Sequence, residues 1–145
     1  MRLDTLRSTV RAHARDFNGT IFRADDIKLF LNEGIDRVIQ VMPQLESMSY
    51  LELDEDMVTI IPREYVHLLA NYAVARLMMQ DERHYEATTF MNEFEVTLNE
   101  FKEKVDNGEI ELFDPETGDS LVVDVPTDYV TDTYFANRNG RVKEG

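Results

Sequence analysis

Three histidines supply the imidazole groups of this 145-residue chain, and their spacing does not fit a metal site. His13, His67 and His84 are widely separated, and no two of them share the helical spacing that places paired metal ligands on one face. The sequence has no cysteine, which excludes disulfides, thiolate metal sites and cysteine nucleophiles. We therefore predict no catalytic residue, no metal site and no bound cofactor.

Two acidic stretches, 54–56 and 114–119, superficially resemble calcium-binding loops. Neither is followed by the glutamate that closes an EF-hand loop, so solvated turns are the simpler interpretation. The sequence contains no glycine-rich phosphate loop, and its carboxylates are too numerous to identify a general acid and base. A helical hydrolase with a carboxylate-bound metal is thus the least supported function that we consider.

The charge of the chain is strongly negative and unevenly distributed. With 15 basic and 29 acidic residues the net charge is −14, yet residues 1–23 contain five arginines and only two aspartates. Nucleic-acid binding depends on lysine and arginine that neutralise phosphates, so this composition argues against a protein that grips DNA or RNA. The sequence also lacks an apolar run long enough to span a membrane and a signal peptide at its start.

Arg7, Arg11 and Arg15 follow each other at intervals of four residues, which places them on one face of a predicted first helix. A solvated surface and a contact with acidic groups of a neighbouring subunit are both compatible with this pattern. We name these three arginines as candidate partner-binding residues.

Apolar periodicity predicts two helices in the first third of the chain. The first ends near Asn18–Gly19, and the second starts at 24–26 and cannot continue past Pro43. Gly34, inside the second helix, indicates the close approach of another backbone. The apolar stripes are Leu3, Leu6, Val10, Ala14 and Phe17 in the first helix and Ile27, Leu31, Ile35, Val38 and Met42 in the second.

A small acidic β-hairpin is predicted at about 50–61, followed by two more helices. Pro62 suits the first position of the third helix, which ends near Asp81. The fourth helix shows the clearest periodicity and ends at Asn107–Gly108, a typical left-handed cap. Its apolar stripe consists of Ala87, Met91, Phe94, Leu98, Phe101 and Val105.

Helical periodicity stops at Gly108, so we divide the chain into a helical domain at 1–108 and an extended C-terminal arm at 109–145. The predicted fold class is mainly α, a four-helix bundle-like core with a small β-hairpin and this arm. A purely solvated tail would contain fewer apolar side chains, so the arm is predicted to dock on a partner. Its candidate contact residues are Tyr129, Val130, Tyr134 and Phe135.

The sequences of two segments resemble those of a known protein family. Asp26–Asp36 reads DIKLFLNEGID and Ile61–Arg76 reads IPREYVHLLANYAVAR, with the acidic hairpin between them and a long last helix after them. This pattern, over roughly residues 20–108, resembles the head-to-tail adaptor (connector) proteins of tailed bacteriophages.

The resemblance implies a structural virion protein without catalytic activity, assembled in the host cytoplasm. Its copies would form a ring, expected to be a dodecamer, beneath the portal protein. The ring would extend the DNA channel and provide the attachment surface for tail proteins, and DNA would pass through without specific binding. A negative lumen agrees with this expectation, because a channel that DNA slides through should repel phosphate. The alternative from the residues alone is a small acidic regulatory or DNA-mimic inhibitor protein that binds a basic site on a partner.

Overall fold

The computed structural model describes residues 2–16, 18–45, 58, 60–114 and 117–121. These residues contain four α-helices, which confirms the mainly helical prediction. The predicted hairpin at 50–61 lies outside the described residues except for 58, 60 and 61. The helices are α1 (Leu3–His13), α2 (Ala24–Val41), α3 (His67–Gln80) and α4 (His84–Asp106), with a 3-10 turn at Pro43–Leu45 after α2.

Helix α3 lies at the centre of the domain. Ten of its fourteen residues are buried, and it packs against α1, α2 and α4. Buried positions occur on every side of α3, whereas the other helices bury one stripe each. A helix that is apolar all round belongs in the interior, and here three amphipathic helices cover it.

The predicted stripe of α4 is confirmed, because it faces α3. Ala87, Phe94, Leu98 and Phe101 are buried, and the ring of Phe94 meets the ring of Tyr72 edge to face with centroids 5.1 Å apart. The helix ends as predicted at Asn107–Gly108. Gly108 has φ +79°, and the amide of Glu109 donates to the carbonyl of Lys104 at 2.9 Å, which is the hydrogen-bond pattern of a Schellman cap.

Gly34 of α2 faces α3, but its close neighbours are side chains rather than backbone. A Cβ atom added at Gly34 would lie 3.4 Å from side-chain atoms of Leu69 and Tyr72. One turn away, the guanidinium of Arg76 donates to the carboxylate of Glu33 at 2.7 Å. The missing side chain at Gly34 therefore lets the bulky side chains of α3 pack onto α2.

Two predicted helix boundaries are wrong by about five residues each. Helix α1 ends at His13, and Arg15 already has a left-handed backbone with φ +61°. Helix α3 begins at His67 rather than Pro62, because the residues before it form a turn in which the amides of Tyr65 and Val66 donate to the Pro62 carbonyl. In both cases a local turn uses the backbone groups that a longer helix would need.

The first residues of the predicted C-terminal arm pack on the helical domain. Leu112 is 3% exposed and belongs to the core, and Ile110 and Leu121 pack against that core. An antiparallel bridge joins Phe113 to Ser120 around the predicted turn. The described residues contain no helix that is both long and apolar enough to cross a membrane.

Candidate functional site

The three candidate arginines of the first helix occupy different environments, so the prediction of one continuous arginine face is wrong. Arg7 and Arg11 lie on α1 and are half-buried, whereas Arg15 is exposed beyond the end of the helix. The left-handed backbone at Arg15 breaks the helical spacing that the prediction assumed.

Arg11 is committed to an internal ion pair. Its Nη1 atom donates to Oδ2 of Asp16 at 2.7 Å and to the carbonyl oxygen of Phe22 at 2.9 Å. The guanidinium also lies against Gly19, where an added Cβ would be 3.4 Å from Nη1. Arg11 therefore holds the connection between α1 and α2 in place, and reversing its charge would disturb the fold itself.

Asp16 is the centre of this arrangement. Its side chain is 1% exposed, and besides Arg11 it accepts hydrogen bonds from the backbone amides of Thr20, Ile21 and Phe22 at 2.9–3.0 Å. Burial raises the pKa of Asp16, but the amides of Phe22 and Ile21 and the charge of Arg11 outweigh burial and hold the pKa below its ordinary value. The buried Asp16 carboxylate thus accepts the hydrogen bonds that water would otherwise accept from the amides of the loop.

Sequence reasoning missed Asp16, although a signal was present. An aspartate shortly before an Asn-Gly-Thr turn is a residue type that accepts hydrogen bonds from the amides of a following loop. The predicted turn at Asn18–Gly19 is confirmed, since Gly19 has φ +69° and its amide donates to the Asp16 carbonyl.

Arg15 is the candidate arginine that remains most accessible. It lies near the start of α4, where the pKa of Glu86 is lowered first by its hydrogen bond with Arg83 and, in smaller part, by the charge of Arg15. Arg7 has a buried Nε atom without a hydrogen-bond partner among the described residues. Whether these arginines bind a partner stays a prediction.

The three histidines differ in their surroundings. The ring of His13 meets the ring of Phe90 edge to face, whereas His67 and His84 are exposed at the first positions of α3 and α4. Among the described residues no group of three or more potential metal ligands comes together. The predicted absence of catalysis and cofactor binding is not tested by this finding.

The predicted contact residues of the arm, Tyr129, Val130, Tyr134 and Phe135, lie outside the described residues. An open groove lies at the C-terminal ends of α2 and α4, and Leu121 is part of its wall. The other apolar residues that line the groove are Val41, Pro43, Val105, Ile110 and Leu112.

No protein-family model, curated protein or solved structure matches this chain. A functional assignment therefore depends on the residues and their geometry.

Proposed function

We propose that this protein is a head-to-tail adaptor of a tailed bacteriophage. Its copies form a ring, expected to be a dodecamer, that binds beneath the portal, extends the DNA channel and receives the tail proteins. In this proposal the fold is a four-helix bundle-like core with a small β-hairpin and an extended C-terminal arm. The protein is a structural component of the virion and is not an enzyme.

One observation carries the proposal: the two segments whose sequences resemble the adaptor family pack against each other. Asp26–Asp36 belongs to α2, and Ile61–Arg76 comprises the turn before α3 and most of α3. The Glu33–Arg76 ion pair and the fit of Tyr72 against Gly34 join them. The resemblance therefore concerns one interhelical contact and not two unrelated stretches of surface.

The charge distribution supports the channel part of the proposal. Glu93, Glu100 and Glu103 of α4 are exposed, in a chain whose net charge is −14. A ring of such subunits surrounds its axis with carboxylates, which repel phosphate and let DNA move without binding.

The C-terminal arm supplies the portal contact in this proposal. Leu121 lines the groove and packs against the helical domain, eight residues before the first candidate contact residue, Tyr129. Tyr129, Val130, Tyr134 and Phe135 would then bury their apolar side chains on the portal, since aromatic anchors commonly dominate such interfaces.

Mass measurement and imaging test the proposal. The full chain, alone and mixed with a purified portal protein of a tailed phage, is examined by light scattering and negative-stain microscopy. The expected particle is a ring of about 200 kDa for twelve copies of a 16.9 kDa chain. A chain that stays monomeric and does not bind the portal contradicts the proposal. The double variant Tyr134→Ser, Phe135→Ser should keep the ring and lose the portal.

The exposed glutamates of α4 also favour the second candidate, an acidic inhibitor that mimics DNA. Such a protein would bind a basic site as a monomer or small oligomer, with an affinity that falls steeply as salt increases. A salt-sensitive 1:1 complex with a nucleic-acid-binding enzyme, without ring formation, would favour this function over the adaptor.

A further inference from the structure

The open groove at the C-terminal ends of α2 and α4 has a volume of about 680 Å³. This volume lies within the range of about 300–1,000 Å³ that is typical of binding sites. The aliphatic residues of its wall come from the end of α2, from α4 and from the segment after α4, and they are Val41, Pro43, Val105, Ile110, Leu112 and Leu121. Because burial of apolar surface is favourable, such a wall favours an apolar occupant.

The charged side chains in the groove wall already have partners within the chain. The Nζ atom of Lys102 donates to Oδ2 of Asp106 at 2.6 Å, and Oε2 of Glu111 accepts a hydrogen bond from the Ser120 hydroxyl at 3.2 Å. A charged occupant would compete with these contacts, whereas an uncharged one leaves them intact. The groove therefore fits an uncharged, apolar segment.

The segment after α4 forms the beginning of an antiparallel ribbon beside this groove. Phe113 and Ser120 form an antiparallel bridge, and the amide of Leu121 donates to the Leu112 carbonyl at 2.7 Å. Leu112 thus lies opposite Leu121. In this register the residue opposite Ile110 is residue 123, and hydrogen-bonded pairs recur every second residue along an antiparallel ribbon.

The ribbon has one face toward the core and one toward solvent. Leu112 is buried and Leu121 packs against the core, whereas Phe113 and Ser120 are exposed. Ile110 lies two residues before Leu112 and also packs against the core, as the alternation of a strand requires. Opposite residues of an antiparallel pair share a face, so a residue paired with Ile110 would face the groove.

The sequence directly after Leu121 has the residue types that this register calls for. Residues 122–125 read Val-Val-Asp-Val, and valine is a strong strand former. Continuing the ribbon by two residues pairs Val123 with Ile110. Alternation then directs the side chains of Val123 and Val125 toward the groove and that of Asp124 away from it.

The ribbon has a natural end at Ile110. The Ile110 amide already donates to the Lys104 carbonyl at 3.2 Å, as part of the cap of α4, so only its carbonyl is available to residue 123. Asp124 is therefore not held opposite Glu109, whose charge would repel it. Pro126 follows, and it has no amide hydrogen with which to extend the pairing.

We propose that residues 122–125 occupy the groove of their own chain, with the Val123 amide donating to the Ile110 carbonyl and the side chains of Val123 and Val125 in the groove. Leu121 is part of the groove wall, so the segment is tethered at its binding site. Close tethering gives a high effective concentration, which favours this segment over the same segment of another copy. The arm then contacts a partner only through residues 126–145.

Disulfide formation in the full chain tests the register, because the chain has no cysteine of its own. The test variant combines Ile110→Cys with Val123→Cys, and the matched control combines Ile110→Cys with Val122→Cys. Opposite residues of a hydrogen-bonded pair have Cα atoms about 5.5 Å apart, within the range of about 4.4–6.8 Å found in disulfides. A cysteine at 122 would point to the other face of the ribbon and away from Cys-substituted position 110.

Under mild oxidation the test variant should form a disulfide within one chain at least about tenfold faster than the control. Mass spectrometry after thiol alkylation counts the free thiols, and non-reducing electrophoresis separates monomers from linked dimers. Equal rates for the two variants would show that the segment does not extend the ribbon. A disulfide mainly between two chains would show that a neighbouring copy supplies the occupant. Either result overturns the inference.

A second pair of variants tests burial without cysteines. Val123→Asp should lower the urea midpoint of the full chain by about 0.5–1 M, because it places a charge in the groove, whereas Val122→Asp should lower it by less than about 0.2 M. Equal midpoints would contradict the inference. This inference goes beyond the adaptor proposal and does not depend on it, since neither test requires a ring or a portal.

Discussion

Replacing Asp16 with alanine should lower the free energy of unfolding by about 3–5 kcal/mol. The side chain is almost fully buried, and alanine would leave the Arg11 guanidinium and three backbone amides without their acceptor. Each hydrogen bond to a charged group contributes about 1.5–3 kcal/mol, but bonds in one network are not additive, so their sum is an upper limit. The loss of about 3–5 kcal/mol that follows removal of one partner of a buried ion pair is the more realistic estimate.

Urea unfolding followed by circular dichroism measures this loss. Because a small domain loses about 1–3 kcal/mol of stability per molar urea, the midpoint should fall by roughly 2 M. Asp4→Ala is the matched control, since Asp4 is also an aspartate of the α1 region but forms only a solvent-exposed pair with Arg2 at 3.5 Å. The control should change the stability by less than about 0.5 kcal/mol. Equal midpoints for the two variants would refute the structural role of Asp16.

The pH dependence gives an independent check. The pKa of Asp16 is lower in the folded chain than its ordinary value of 3.8, so the unfolded chain takes up the proton first. The stabilisation is therefore complete above the ordinary value and is lost as the pH falls through the lower, folded value. Asp16→Asn should be less stable at neutral pH and should lose less additional stability between about pH 4 and pH 2.

Phe94→Ala should cost about 3–5 kcal/mol, because Phe94 is fully buried against Tyr72, and a urea midpoint close to that of the wild type would contradict this. Glu82 has φ +59° and Gly108 has φ +79°, so Glu82→Gly should raise the stability by about 0.5–1 kcal/mol and Gly108→Ala should lower it by a similar amount. Thermal melts that move in the same direction for both variants would count against that reasoning. A chain ending at Gly108 should be about 1.5–3 kcal/mol less stable than one ending at 121, since only the longer chain buries Leu112. Identical urea midpoints for the two chains would show that this segment adds nothing to the helical domain.

Several elements could be predicted from the sequence because their determinants are local. The stripe of α4, the start of α2 at Ala24 and the cap at Gly108 depend on residues only a few positions apart. Helical periodicity and cap chemistry are properties of such short stretches, so no tertiary information is needed. The same holds for the turn at Gly19.

The candidate arginines show the limit of a local pattern. Their four-residue spacing predicted one helix face, but Arg11 is used internally and Arg15 lies outside the helix. Helix α1 ends early because the backbone amide of Asp16 donates to the Arg11 carbonyl. The Asp16 carboxylate at the same time accepts hydrogen bonds from the amides of the following loop. That competition involves residues on both sides of the turn, and a periodicity argument does not include it.

The sequence by itself determined which segments are helical and which side of α2 and α4 is apolar. The tertiary structure decided that α3 is the central helix, with ten of its fourteen residues buried. It also decided that Tyr85 and Val96 of α4 stay exposed. Periodicity specifies a face of a helix, but the number of neighbouring helices and the faces they leave uncovered depend on how the helices pack together.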